Sequence, residues 1–172
     1  AAADDSVIKV GTGTLSFDLW WYTNAAATYF LIDASADAAA FKGIEVVVGK
    51  FVQKRTITTV TTAGNVTVTA AQMLTGIYDR DPNGAARTDT LPTAALLVAA
   101  IANAEVGSSF LWHVRNTADA AETLTIASGL GGTDVGVMTI AQNNSKTFMV
   151  VLTNVTGASE AYTLQSMGTA VT

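Results

Sequence analysis

The sequence predicts a mainly β protein, a sandwich or barrel of short strands, with one short helix. Three observations carry that expectation. Thr, Val and Ile, which suit a pleated and half-buried surface, recur throughout. Apolar and polar residues alternate from end to end. Gly, Asn, Asp and Ser punctuate the intervals, as in TAGN, NTADAAE, SGLGGTD, AQNNS and NVTGAS. Short strands separated by turn residues are the pattern of packed sheets.

Taken in order, Leu15, Phe17, Leu19 and Trp21 fall on one face of a first strand, and Ser16, Asp18 and Trp20 on the other. Ile44, Val46 and Val48 repeat the alternation, and Val66 and Val68 repeat it again. Phe110, Trp112 and Val114 follow, then Leu124 and Ile126. Phe148, Val150 and Leu152 come next, and last Tyr162 and Leu164. One stretch keeps a different period. Between Leu91 and Ala104, the residues Ala94, Leu97, Val98 and Ile101 stand at i, i+3, i+4 and i+7, a helical stripe. The helix is expected from about Pro92 to Asn103. Pro92 suits its first turn, where a missing N–H has no intrahelical partner to lose.

The chain divides loosely. Residues 1–55 hold most of the aromatics and read as a β-rich N-terminal segment or arm, while 56–172 read as a regular sandwich domain. Apolar residues make up 49% and charged residues only 13%, with a mean hydropathy of +0.36. The longest apolar run, Ala94 to Ala102, is about half the ~18 residues that span a bilayer. The apolar surplus is therefore expected in a large core and in subunit contacts, so a homo-oligomer is predicted and a membrane partner is not. The start, AAADDSVIKV, lacks the basic and apolar regions of a secretory signal, and none is expected.

The net charge of −5 argues against nucleic acid, which requires clustered cations. The densest basic group, Lys50, Lys54 and Arg55, reads as a solvated strand end. With no cysteine, thiolate catalysis, disulfides and Cys-based zinc sites are excluded.

The strongest metal-like pattern is D-R-D-P-N-G, which places Asp79, Asp81 and Asn83 at positions 1, 3 and 5 of a calcium loop, with Gly84 at the turn. Position 12, where such a loop needs a bidentate carboxylate, is Thr90, and position 9 is Arg87. The better reading is a tight turn in which Pro82 presets φ and Asn83-Gly84 accept φ > 0. Arg80 and Arg87 are then free to pair with Asp79, Asp81 or Asp89. No metal, cofactor or catalytic residue is predicted. His113, the single histidine, should face away from the row of Phe110 and Trp112, and no G-x-S-x-G elbow accompanies Ser108 and Ser109. The Gly-rich Ser128 to Gly136 lacks the Lys-Ser/Thr of a phosphate loop and reads as a hairpin connection. GTGT at Gly11 to Thr14 is equally weak as a phosphate signal.

The cluster Trp20-Trp21-Tyr22 is the costliest to leave in water. On a strand Trp20 and Trp21 point to opposite faces, so one needs a cover outside its own sheet. Phe17, Trp20, Trp21, Tyr22, Tyr29 and Phe30 are the candidate interface residues.

The pieces RDPNGAARTDTLPTAA, AEVGSSF, RNTADAAETLTIA and NSKTFMVVLTNV before AYTL occur in this order between about Thr69 and Gly168. Together they resemble capsid decoration (cement) proteins of tailed phages. The resemblance implies a jelly-roll-like antiparallel β-sandwich domain, a homotrimer and docking on the major capsid protein at the outer surface of the phage head. The expected function is structural, stabilising the shell by bridging capsomers, with the N-terminal aromatics at the capsid or subunit contact. The alternative expectation is a fibre or tail module that binds host-surface glycans. A polysaccharide-cleaving enzyme ranks below both, because no catalytic set is visible.

Overall fold

A computed structural model of the chain describes residues 54–171 and three earlier strands, Leu19–Tyr22 (β1), Tyr29–Asp33 (β2) and Ala38–Lys42 (β3). The chain divides into two units, Ala1–Phe51 and Val52–Thr172. In the first, β1, β2 and β3 form an antiparallel sheet whose register sets Trp21 opposite Phe30, and Phe30 opposite Phe41. The proposed strand at Ile44, Val46 and Val48 lies outside the described residues.

The second unit is a two-layer β-sandwich with two helices. Its elements are β4 (Thr56–Val60), α1 (Ala70–Thr75), β5 (Gly76–Arg80), β6 (Arg87–Thr90), α2 (Ala94–Ala100), β7 (Ser109–Asn116), β8 (Leu124–Ala127), β9 (Gly132–Val135), β10 (Thr139–Ile140), β11 (Asn144–Asn154) and β12 (Ala161–Val171). One sheet has the order β4-β5-β7-β11-β12-β9, and the other β10-β8-β6.

The core lies between these sheets. Tyr78, Trp112, Val114, Phe148, Val150, Leu152 and Leu164 come from the large sheet, and Leu124, Ile126 and Ile140 from the small one. All of these but Tyr78 and Ile140 are residues that the period-2 pattern marks as inward. Trp112 is fully buried, with ring centroids 5.6 Å from Tyr78 and 6.0 Å from Phe148. Each such side chain contributes roughly 1.5–3 kcal/mol by leaving water.

The sheets are mixed, which corrects the all-antiparallel expectation. β7, β11 and β12 are antiparallel neighbours, as are β8 and β10. In contrast β4–β5, β5–β7, β6–β8 and β9–β12 are parallel. Parallel pairing requires a crossover of a dozen or more residues, usually helical. Between β4 and β5 that crossover carries α1, a helix the sequence reading missed. Its signal is local: Thr69 and Gln72 form a capping box, with Gln72 N–H donating to Thr69 Oγ1 and Thr69 N–H to Gln72 Oε1. Thr- and Val-rich flanks masked it, and the helix places only Met73 fully inside.

Three further corrections follow from packing. Helix α2 is shorter than expected: Thr93 is its N-cap, accepting from Leu96 N–H, so Pro92 precedes the cap and does not occupy the first turn. At the other end Ile101 is already extended. The stripe itself is right, with Ala94 and Leu97 buried and Val98 and Ile101 packed against the core. Val66 and Val68 lie in an extended segment with a single bridge, Thr67 to Thr90, and not in a strand. Ser128 to Gly136 is no hairpin: it holds β9, which crosses to the large sheet and pairs parallel with β12.

Candidate functional site

The stretch Tyr78 to Pro92 leaves the large sheet at β5, turns, and enters the small sheet as β6. Its turn forms as the residue types dictate. Asp81 Oδ1 accepts from Asn83 N–H at 2.9 Å, and Asn83 and Gly84 take φ values of 52° and 92°. Inside the sandwich Arg80 Nε donates to Asp89 Oδ2 at 2.8 Å, and the Tyr78 hydroxyl donates to the same oxygen at 3.0 Å. Arg80 also donates to the carbonyls of Thr62, Gly64 and Asp81. Burial, the Asp89 charge and this hydrogen bond push the Tyr78 phenol well above its ordinary value. The arrangement is a tie between layers, fully paired and closed to solvent.

The contiguous calcium loop is not assembled. Asp79 forms an ion pair with Arg115, Asn83 Nδ2 donates to the Thr61 carbonyl, and Thr90 lies in β6. Arg87 Nε donates to the Pro82 carbonyl. Of the two arginines expected to pair with nearby aspartates, only Arg80 does so among the described residues. Asp81, however, meets two residues from the β7–β8 connection. One carboxylate oxygen each from Asp81, Asp119 and Glu122 lies within 4.8 Å of the other two. Sequence reading had no means of finding this cluster, because nothing local joins residue 81 to 119 and 122.

Two other polar side chains cross between the layers. Asn116 Nδ2 on β7 donates to the carbonyls of Glu122 and Ile140, at 2.8 and 2.9 Å. Lys146 on β11 is buried and donates to the carbonyls of Val137 and Thr139. Burial holds its ammonium below the usual lysine range.

The outer face of the large sheet is a candidate contact surface. Strand register aligns Leu111, Met149, Gln165 and Val135 in one row across four strands. A second row runs Ile57, Ile77, His113 and Thr147. Ile57 is 62% exposed, Leu111 49% and Val135 43%. His113 does point to this outer face, where its Nδ1 lies 3.0 Å from Thr147 Oγ1. It lines a shallow hollow with Arg55, Ile77, Leu111 and Thr147. Ser108 Oγ is engaged by the Glu105 N–H. A separate apolar groove of about 510 Å³ lies between α1 and α2, lined by Val68, Ala70, Pro92 and Leu96 among others.

Of the sequence-predicted interface residues, Phe17 lies outside the described residues. Trp20, Trp21 and Tyr22 are on β1, and Tyr29 and Phe30 on β2. Register sets Tyr22 opposite Tyr29, and Trp20 opposite Leu31. Their side chains lie outside the described residues. Comparison with family models and with curated proteins found no match to this chain.

Proposed function

We propose that the chain is a non-enzymatic structural protein of a tailed-phage virion. In this reading it is a decoration protein that binds the outer capsid surface as a homotrimer and bridges neighbouring capsomers. The observation that carries the reading is the half-apolar outer face, with Leu111, Met149 and Val135 in one row and Ile57 and Ile77 in the next. A sheet face of this kind wants a protein cover. The resemblance of the segment from Thr69 to Gly168 to capsid decoration proteins names the assembly that would supply it. An acidic chain on the outside of a shell has no need to touch the genome.

A jelly-roll is the finer architecture that the resemblance implies, and the two-layer sandwich supports that expectation. The parallel pairs β4–β5 and β5–β7 depart from an all-antiparallel jelly-roll. Contacts shared by three chains and repeated over a lattice sum by avidity, so each need be only modest.

Light scattering is expected to give three times the chain mass of 17.7 kDa. A clean monomer at micromolar concentration would overturn the trimer. Leu111→Asp places a charge on a side chain that is half in water within one chain. It should therefore leave the circular dichroism unchanged and dissociate the trimer. Immunogold labelling of virions should decorate the head lattice. Label confined to the tail, with reproducible binding on a glycan array, would replace this reading with the adhesive one.

A further inference from the structure

We infer that Asp81, Asp119 and Glu122 form a calcium site at one end of the sandwich. Strands β5 and β7 run parallel, and their last residues, Arg80 and Asn116, are register partners. The Thr117 N–H donates to the Arg80 carbonyl at 2.8 Å, holding the two departing loops side by side. Asp81 is the first residue beyond β5, and Asp119 and Glu122 lie just beyond β7. Parallel pairing therefore delivers three carboxylates to one place, each with an oxygen within 4.8 Å of the others.

The cluster carries an unmet demand as well as proximity. Glu122 is only 7% exposed. Its Oε1 accepts from Gly84 N–H at 2.6 Å, but its Oε2 is buried with no hydrogen-bond partner. An ionised carboxylate with an orphaned buried oxygen is costly unless a cation or donor meets it. Among the described residues, no Lys or Arg forms an ion pair with any of the three carboxylates. Arg87 Nε is spent on the Pro82 carbonyl.

The chemistry selects the ion. Three hard oxygen donors, with no nitrogen or sulfur among them, suit calcium or magnesium. Magnesium dehydrates reluctantly and is usually held by one or two carboxylates, so a cluster of three favours calcium. Mutual separations within 4.8 Å allow one calcium ion to reach all three carboxylates. Burial grades outward from Glu122 through half-buried Asp81 to exposed Asp119, which leaves one side open for entry and for water ligands. The ion would join the β5–β6 turn to the β7–β8 connection, a role independent of any capsid partner.

The test uses the full chain, stripped with EDTA and held at fixed ionic strength, titrated calorimetrically with calcium chloride. The expected result is one calcium per chain with a dissociation constant of about 1 mM or tighter. At about 10 mM calcium the melting temperature should rise by about 3–10 °C. Glu122→Gln keeps an oxygen to accept from Gly84, and Asp119→Asn alters an exposed position, so both should fold. Each is expected to weaken binding on the order of tenfold or more, and to leave the metal-free melting temperature unchanged or higher because repulsion is relieved. Absence of both binding heat and a melting shift in the wild-type chain would overturn the inference. So would an equal response to magnesium, or a full calcium response in the Asp119→Asn/Glu122→Gln double variant.

Discussion

Arg80 on β5 and Asp89 on β6 meet at 2.8 Å with neither side chain exposed, and the two strands belong to different sheets. The pair is therefore a cross-layer fastener inside the core. Asp89 also accepts from the Tyr78 hydroxyl and from Val66 N–H, and Arg80 caps three loop carbonyls. Buried ion pairs of this kind cost desolvation to form, and are costly to break from one side only.

Asp89→Asn should accordingly destabilise the chain by about 3–5 kcal/mol, because Arg80 keeps its charge and loses its counter-ion. Urea denaturation followed by Trp fluorescence checks this. Arg80→Met together with Asp89→Leu should recover part of the loss, since no charge then stays buried unpaired. A double variant weaker than Asp89→Asn alone would show that the carbonyl caps of Arg80 outweigh the ion pair.

Gly76 opens β5 at the point where α1 hands the chain to the sheet. A Cβ there would stand 2.1 Å from the Thr56 carbonyl oxygen on β4. Its φ of −154° is ordinary extended backbone, so the constraint is space and not conformation. Gly76→Ala is expected to cost about 1–3 kcal/mol by forcing β4 and β5 apart. Hydrogen exchange should localise the loosening to β4.

The capping box of α1 gives a smaller and cleaner effect. Thr69→Ala removes the acceptor for Gln72 N–H and should cost about 1 kcal/mol, read as a shift of the denaturation midpoint at unchanged slope. A matching loss is expected for Thr93→Ala at α2, where the threonine caps Leu96 N–H.

Alkaline pH should unfold the chain through its buried phenols. Burial raises Tyr78 and Tyr162 above the ordinary value of 10.0, so the unfolded chain releases these protons first. Their contribution to stability is complete below pH 10 and is lost as pH rises through the folded values. The slope approaches about 1.4 kcal/mol per pH unit for each. Lys146 acts with the opposite sign. Its lowered folded value means that stability gains as pH rises towards 10.5, the ordinary lysine value. The tyrosines should dominate above pH 10, so urea midpoints should hold or rise between pH 8 and 10 and fall beyond it. Tyr78→Phe should flatten that fall even though it lowers the midpoint at pH 8.

The inward rows were legible in the sequence because a strand's period is a property of adjacent residues. Phe110, Trp112 and Val114, and likewise Phe148, Val150 and Leu152, announce one apolar face whatever strand lies beside them. The helical stripe of Ala94, Leu97, Val98 and Ile101 and the Asn83-Gly84 turn were legible for the same reason. Strand direction was not, since β4 and β5 read alike whether paired parallel or antiparallel. Only packing, with α1 as the crossover, chose between them.

The stretch from Asp79 to Gly84 shows the division most sharply. By itself the sequence determined that these residues turn, and that no contiguous twelve-residue calcium loop forms, because Arg87 and Thr90 occupy ligand positions. Tertiary structure alone decided that Asp79 pairs with Arg115, that Arg80 points inward to Asp89, and that Asp81 joins Asp119 and Glu122. Three neighbouring residues meet three different fates because successive side chains on a strand alternate faces, and the last steps off its end. What waits on each side is set by strands brought alongside from far away in the chain.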